Sequence, residues 1–342
     1  MHDLARHREV LGMAIPLALL LATAIGAGSL AHAGDGEWTV RLEPLYMQAS
    51  GNDPHVLTIH ELDADGAPEA DDARAISLST DSGLAYRGEL LYSRDRWGLG
   101  LDFLWFNSKQ SVADQAGAAE GPSGTIDEVV FELPGQAFSS TDPSQVLYYR
   151  VLEDTEFAMW TADLYARRTL AEGSASGIDV RFGLRCGDFD NDYRAVAGVG
   201  DVAGARLDAS SNYGLMMGPL VGLSGEYRVG KSELSGHLSQ SVIFGDAQLT
   251  VGSSQYSGSA DAPSIYAVDT FRKDEDVAIP ITDLGIRWVY EVSSLLALGV
   301  GLDSAVWWDV PVPPGITPGQ EGALRENTIV FSGAVATLAL TF

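Results

Sequence analysis

Arginine and carboxylate residues recur at alternate positions inside apolar runs, and they are the residues of this sequence best placed to do chemistry. In GIDVRFGLRC, Asp179, Arg181 and Arg185 share one parity while apolar residues separate them. Residues at every second position lie on one face of a β-strand. Such a face offers either forked arginine–carboxylate ion pairs or fixed charges along a solute path. Over the whole chain, the candidates for such an inner, pore-lining face are Arg87, Glu89, Asp102, Asp163, Arg167, Arg181, Arg185, Glu226, Asp283, Arg287 and Asp303.

The elements that must position these residues are strands with period-2 alternation. In WGLGLDFLWF, Trp97, Leu99 and Leu101 fall on one face, and Asp102 falls on the other. An amphipathic helix would need apolar spacings of three and four, which are absent here. The same pattern predicts ten strands, near 37–47, 81–93, 97–106, 157–167, 178–187, 212–228, 234–246, 279–291, 295–309 and 328–342. The number becomes twelve if segment 126–152, with VVFEL and QVLYYRV, adds a hairpin.

The connections between these strands alternate in length. Short ones lie near 94–96, 168–177, 229–233 and 292–294, and long ones near 48–80, 107–156, 188–211, 252–278 and 311–326. In an antiparallel up-and-down sheet, all long loops then emerge on one side. The pattern predicts an all-β, antiparallel up-and-down transmembrane β-barrel of outer-membrane type. A soluble β-sandwich or lipocalin-like barrel is the alternative, but nothing in such a fold sorts loop lengths by side.

One face of strand after strand is almost purely apolar, as with Leu284, Ile286 and Trp288. Charges facing hydrocarbon are costly, so the apolar face is predicted to face lipid, and the face that mixes Gly, Ser and charge is predicted to point inward. The closing segment FSGAVATLALTF places Leu338, Leu340 and Phe342 on the lipid face. This ending resembles the C-terminal aromatic signal that the assembly machinery of bacterial outer-membrane barrels reads.

The N-terminal region has the pattern of a secretory signal peptide. Arg6 and Arg8 precede an apolar run, 11–30, which is followed by Ala31-His32-Ala33. We therefore predict a signal peptide over 1–33 and a barrel over 34–342, exported to the cell outer membrane and in contact with its lipid and lipopolysaccharide. An uncleaved membrane anchor is the alternative. Cys186 is the only cysteine, which excludes an internal disulfide.

Composition excludes some classes of partner. The chain has 47 acidic and 21 basic residues and a formal charge of −26, which argues against nucleic-acid binding. The five long connections together hold 28 acidic and 8 basic residues. They are predicted to solvate the loop side, to draw cations toward it, or both. No cofactor is predicted.

Two acidic clusters invite a metal interpretation. Asp188, Asp190 and Asp192 alternate at the loop-side end of a strand, and HELDADG spans 60–66. Calcium binds such clusters of oxygens, but neither matches a full EF-hand loop, so a solvated acidic rim is favoured. No G-x-S-x-G elbow is present. Ten-stranded outer-membrane proteases use acids and a histidine at the loop-side rim, which leaves His60 with Glu61 or Asp63 as a remote candidate. We predict that the protein is not an enzyme.

Three short motifs carry a family resemblance. They are Gly183-Leu184-Arg185 before acids, Gly218-Pro219 in the next strand, and Phe244-Gly245-Asp246 at the end of the strand after. The chain thereby resembles the Legionella-type major outer membrane protein family over 84–106 and 157–342, and only weakly in the first two loops. The resemblance implies a pore-forming barrel. Cys186 departs from it, since an aromatic residue is commoner there, and a cysteine-rich pattern is absent.

Two functions follow from these patterns. The first is a porin-like passive pore for small solutes or ions, with a mild cation preference. The second is a closed structural or adhesive barrel whose external loops bind a surface or partner. The inner charges discriminate between the two: arginines and acids that pair across the lumen would shut it, and charges that line opposite walls would let it conduct.

Overall fold

The computed structural model is all-β and describes residues 36–50, 55–61, 74–77, 82–117, 129–133, 136–139, 148–199, 203–257, 264–312 and 325–342. The strands in these ranges are β1 (Glu37–Ser50), β2 (His55–Glu61), β3 (Arg74–Ser77), β4 (Ser82–Arg94), β5 (Trp97–Gly117), β6 (Val129–Leu133), β7 (Gln136–Ser139), β8 (Tyr148–Glu172), β9 (Ser176–Val199), β10 (Ala203–Asn212), β11 (Met216–Val229), β12 (Ser232–Ser257), β13 (Ser264–Glu291), β14 (Leu296–Val312) and β15 (Arg325–Thr341). The predicted signal peptide lies outside the described residues. Within those ranges, no helix has the length and apolar character needed to cross a membrane.

Ten strand positions close into an antiparallel barrel, as predicted. The order is β1-β4-β5-β8-β9-β11-β12-β13-β14-β15, and β15 pairs with β1. β10 and β11 each pair with both β9 and β12, β10 on the loop side and β11 on the turn side. Residues 213–215 separate β10 from β11. β10 and β11 therefore act as one barrel strand in two pieces.

The twelve-strand alternative is wrong. VVFEL forms β6, which belongs to a separate four-stranded sheet in the order β3-β2-β6-β7. The second half of the suspected hairpin, QVLYYRV, runs into the first residues of β8. Neither segment adds a strand to the barrel.

The four short connections all lie at one end of the barrel, which we call the turn side. Two of them are two-residue hairpin loops, 95–96 and 230–231. Asp95 and Gly230 take φ values of 54° and 62° there, which is the left-handed geometry that such tight loops require. The other two short connections are 173–175 and 292–295. The four connections predicted to be short are confirmed, whereas the one predicted to be long at 252–278 is reduced to 258–263, between β12 and β13.

The strands are much longer than predicted on the opposite, loop side. β13 has 28 residues, whereas a tilted strand crosses a bilayer in about 9–11. Segments such as 107–117, 188–199 and 264–278 were expected to be loops and are strands instead. We call the excess of β8, β9, β10, β12 and β13 the loop-side wall, and define it as residues 148–156, 188–199, 203–212, 246–257 and 264–278.

The outer surface carries the apolar belt of a transmembrane barrel. Leu284, Ile286 and Trp288 are each at least half exposed, as are many equivalent residues on other strands. So large an apolar surface would be unfavourable in water and is typical of a barrel surface that contacts lipid. Leu338 and Leu340 lie on this face in β15. Phe342 exchanges two backbone hydrogen bonds with Trp38, which closes the barrel at the turn side. Recognition of this ending by assembly machinery stays a prediction.

Candidate functional site in the barrel lumen

The structure places all eleven candidate inner residues on inner faces of the barrel strands, in the turn-side half of the lumen. They are Arg87, Glu89, Asp102, Asp163, Arg167, Arg181, Arg185, Glu226, Asp283, Arg287 and Asp303. Most of them form ion pairs. Charges that pair across the lumen would block a conducting path, and unpaired charges on separate walls would line one.

Arg185 forms the first cross-lumen cluster. Its guanidinium makes a forked pair with Asp163, in which Nε and Nη2 each donate over 2.7 Å. Its Nη1 donates over 2.7 Å to Asp283, which also accepts from the Ser239 hydroxyl. Asp163 lies on the adjacent strand, but Asp283 lies on β13, three positions around the barrel from β9. Because the guanidinium and its two carboxylates are buried, this cluster joins parts of the barrel wall that lie three strand positions apart.

Arg287 centres the second cluster. It makes a forked pair with Glu43 at 2.6 and 2.7 Å and donates over 2.8 Å to Asp303. The same Asp303 oxygen accepts from Arg87 over 2.9 Å, and Arg87 also donates to Asp102 over 3.2 Å. This chain of charges runs from β13 through β1 and β14 to β4 and β5. Charge-assisted bonds of this kind are short and directional, so they fix the walls in place.

The remaining acids at the turn side are paired as well. Glu89 accepts from Arg41 over 2.6 Å and from the Tyr165 hydroxyl. Glu226 Oε1 lies 3.4 Å from Arg228 Nη2. The inner charges therefore pair with one another, and several pairs cross the lumen rather than standing apart on opposite walls.

Several residues of this layer were missed from the sequence. Glu43 and Arg41 alternate along β1, and Tyr165 and His237 also point into the lumen. His237 Nδ1 accepts from Arg287 Nη1 over 3.1 Å. The signal for Arg41 and Glu43 was present, because both share the inner parity of a strand that the alternation had already identified.

An apolar layer fills the lumen above the charges, on the loop side. Its aromatic members have at most 1% of their surface exposed and are Phe106, Phe157, Phe189, Tyr213, Trp307 and Phe331. Their rings touch: Phe157 and Phe189 centroids are 4.7 Å apart, and Phe157 and Phe331 centroids are 5.4 Å apart. Aliphatic side chains such as Ile243 and Ile279 complete the layer. The inner face was expected to mix Gly, Ser and charge throughout, and that description is wrong for its loop-side half.

Below the apolar layer, the lumen holds a cavity of about 120 Å³. Leu91, Glu226 and Glu233 lie at its turn-side end, and Arg87 and Arg287 lie at its inner end. Since the aromatic layer lies beyond the inner end, the cavity opens only toward the turn side, as far as the described residues show. It is a dead-end vestibule with charged walls.

The acidic triplet lies outside the lumen. Asp188, Asp190 and Asp192 occupy the outer face at the base of the loop-side wall, where Asp188 accepts from the Phe189 amide over 2.8 Å. Partial burial raises the pKa of Asp192, and the neighbouring Glu156 carboxylate raises it further. Among the described residues, no three His, Cys, Asp or Glu side chains are grouped to hold a metal ion.

Cys186 and His60 were also singled out from the sequence. Cys186 is half-buried on the outer face, and its Sγ donates to the Ala162 carbonyl over 3.5 Å. Burial and outward placement fit a packing role. His60 and Glu61 lie in β2 of the small sheet, and Asp63 lies outside the described residues.

No protein-family model matches the chain, and no curated protein does either. Among solved structures, the Escherichia coli outer membrane protease OmpT matches with 10% identity and a TM-score of 0.44, covering 90% of this chain and 96% of that one. Ail, the attachment invasion locus protein of Yersinia pestis, matches with 7% identity and a TM-score of 0.26, covering 90% and 100%. The Pseudomonas putida (P. putida) toluene transporter TodX matches with 12% identity and a TM-score of 0.18, covering 92% of each.

With TM-scores below 0.5, these similarities assign no function. The resemblance to the Legionella-type family stays a prediction. By its own geometry, the chain is a transmembrane β-barrel of ten strand positions, whose lumen is charged and paired in one half and filled with aromatic side chains in the other.

Proposed function

We propose that this chain is a sealed barrel of the outer membrane that acts through its loop side, where it binds a basic partner surface. The observation that carries the proposal is the aromatic layer, because side chains with at most 1% exposure leave no water path between the two ends of the described lumen. The closed, adhesive alternative is therefore favoured over the porin-like pore.

Three features of the lumen oppose conduction. An apolar constriction gates a channel by excluding water, and an ion entering it loses its hydration without gaining ligands. Below it, most of the arginines and carboxylates are paired with one another, so they form no open ring of like charge that would draw ions through the lumen. A barrel with ten strand positions is also narrow compared with the 16–18 strands of large aqueous porins.

The loop side supports a binding role. Strands that continue beyond the belt form a stiff wall, and rigid scaffolds that present loops are the usual arrangement for recognition. The wall is rich in outward carboxylates, such as Asp190, Asp192 and Asp276. Together with the acid-rich connections, this surface favours a cationic partner, with an affinity that weakens as salt rises.

The first test is conductance of the refolded chain in a planar bilayer under a salt gradient, after heat-dependent gel mobility has shown that the barrel is folded. We expect no stable steps. Stable, cation-selective steps that change when Asp102 or Asp303 is neutralised would overturn the proposal, and they would support the pore that the family resemblance implies.

The second test addresses the partner. Lipid nanodiscs holding the barrel should adhere to a polylysine-coated surface at low salt, and empty nanodiscs of the same lipid should adhere less. Equal adhesion of the two would remove the support for a basic partner while leaving the conductance result unchanged.

A further inference from the structure

The vestibule on the turn side contains one arginine that no described carboxylate approaches within ion-pair distance, although Glu89 and Asp102 attract it over a longer range. Each carboxylate lining the vestibule lies within ion-pair distance of an arginine: Glu43 with Arg287, Glu89 with Arg41, Asp102 with Arg87, Asp179 with Arg167, and Glu226 and Glu233 with Arg228. Arg181 lines the same cavity, and in the described part of the chain no carboxylate pairs with it.

A second arginine stands directly opposite. Arg167 and Arg181 are cross-strand partners on β8 and β9, and both point inward. Like charges in this arrangement repel, since directly opposed side chains have Cβ atoms about 5 Å apart. Arg167 has only weak compensation: Asp179 lies 3.7 Å away, and Ser93 Oγ accepts one hydrogen bond. Two guanidinium groups therefore share one corner of the vestibule.

The Arg181 side chain is held in place without a hydrogen-bond acceptor at its Nε. That atom is buried and has no partner, and the guanidinium carbon lies 5.8 Å from the centroid of the Tyr165 ring. Gly222 on β11 makes room for the stem: a Cβ at this position would meet Arg181 Nε at 2.7 Å. The packing positions a cation while leaving donors free, which is the arrangement of an anion-binding group.

We propose that Arg181, assisted by Arg167, forms an oxyanion-binding site that takes one carboxylate or phosphate group entering from the turn side. The vestibule, about 120 Å³, has room for a group of a few heavy atoms, since a water occupies roughly 30 Å³. The surrounding carboxylates repel larger polyanions. The site does not depend on the proposed function, because it rests on the vestibule alone and would exist in a conducting barrel as well.

The test is calorimetric titration of the refolded full chain in detergent, in chloride buffer at constant ionic strength. Inorganic phosphate and acetate are the probes, and each should bind saturably. Arg181→Gln should weaken binding by about tenfold or more, because it removes charge-assisted hydrogen bonds to the oxyanion. Arg194→Gln is the matched control, since it removes the same charge from an exposed pair on the loop-side wall.

Folding and position are checked separately. Without oxyanion, Arg181→Gln should still fold, as heat-dependent gel mobility would show, because it breaks no close ion pair of the described lumen and relieves the repulsion with Arg167. Gly222→Ala keeps the charge but displaces the Arg181 stem, and it should weaken phosphate binding as well. Absent or non-saturable binding, or equal losses in Arg181→Gln and Arg194→Gln, would overturn the proposal.

A further pair of probes identifies the source of the oxyanion. A short peptide with a free C-terminal carboxylate should compete with acetate, and the same peptide with an amidated C-terminus should not. Competition by the free peptide alone assigns the site to a chain terminus. If phosphate binds and neither peptide competes, the site is assigned to a small free anion.

Discussion

The two halves of the lumen are closed by different physics. The turn-side half uses buried arginine–carboxylate pairs, in which each group depends on a specific partner placed across the barrel. The loop-side half uses aromatic and aliphatic side chains, whose attraction has no preferred direction and tolerates changes of shape. The turn-side half therefore fixes which parts of the wall face each other, while the loop-side half excludes water. Single substitutions should therefore affect the halves differently.

The largest effect is expected in the charged half. Arg287→Met leaves Glu43 and Asp303 buried without their main partner, which should cost about 3–5 kcal/mol in the free energy of unfolding. The measurement is urea unfolding in detergent micelles. Arg194→Met is the control, since its exposed pair with Asp208 should contribute only about 0–1 kcal/mol. Equal losses in the two variants would mean that the cross-lumen pairs do not stabilise the barrel.

A slightly smaller loss is expected in the apolar half. Phe331 is fully buried and contacts several rings of the layer, so Phe331→Ala should cost about 3 kcal/mol and leave a cavity. Phe182→Ala, on the lipid-facing surface, should cost clearly less, because lipid fills the space. If the two losses match, the lumen is not packed as a core. Conductance of Phe331→Ala would additionally show whether this layer is the seal.

Conservative changes sharpen the contrast. Phe331→Leu keeps the layer apolar and should cost only about 1.5 kcal/mol or less. Arg287→Lys keeps the charge but loses the forked geometry toward Glu43, and it should cost more than Phe331→Leu. Unfolding midpoints of the two variants, taken side by side, test this ranking. The reverse order would show that charge alone, without geometry, holds the turn-side half.

The smallest effect is expected outside the lumen, at Asp192. Its pKa is raised by partial burial and by Glu156, so the folded state holds the proton more tightly than the unfolded chain does. Stability from this group is therefore greatest at low pH and falls as pH rises through the folded pKa. Asp192→Asn should be more stable than the parent at pH 7 by no more than about 0.5 kcal/mol. The difference should shrink as pH falls and vanish below about pH 3, under the ordinary pKa of an aspartate. A constant difference across this range would contradict the assignment.

The sequence predicted the barrel well because alternation is a local property. The ten strand positions, the turn side and the inward placement of residues such as Arg185 and Asp283 follow from parity and from connection lengths. The partners of Arg185 do not follow, because the pairing depends on how β9 and β13 face each other after closure. Parity assigns a residue to a face and leaves its opposite neighbour unspecified.

The apolar layer could have been found from the same pattern. Phe106 and Leu104 share the inner parity with Asp102, and Phe157 shares it with Asp163. Each inner face was interpreted as one uniform surface, so the change from charged residues to aromatic residues along the strand was missed. The long strands of the loop-side wall were harder to predict, because the apolar alternation fades toward their far ends, as in SSQYS at 253–257.

The pairing of β15 with β1 has a consequence for how the chain folds. Thr39 pairs with Thr341, so the contact that completes the barrel joins residues about 300 positions apart. Contacts between residues so far apart in sequence form slowly, because the chain loses the entropy of loop closure before the new hydrogen bonds stabilise it. Until closure, β1 and β15 each present an open edge on which other chains can aggregate. The chain is therefore most prone to aggregation between synthesis and closure, and a binding factor that covers either edge would protect it during that interval.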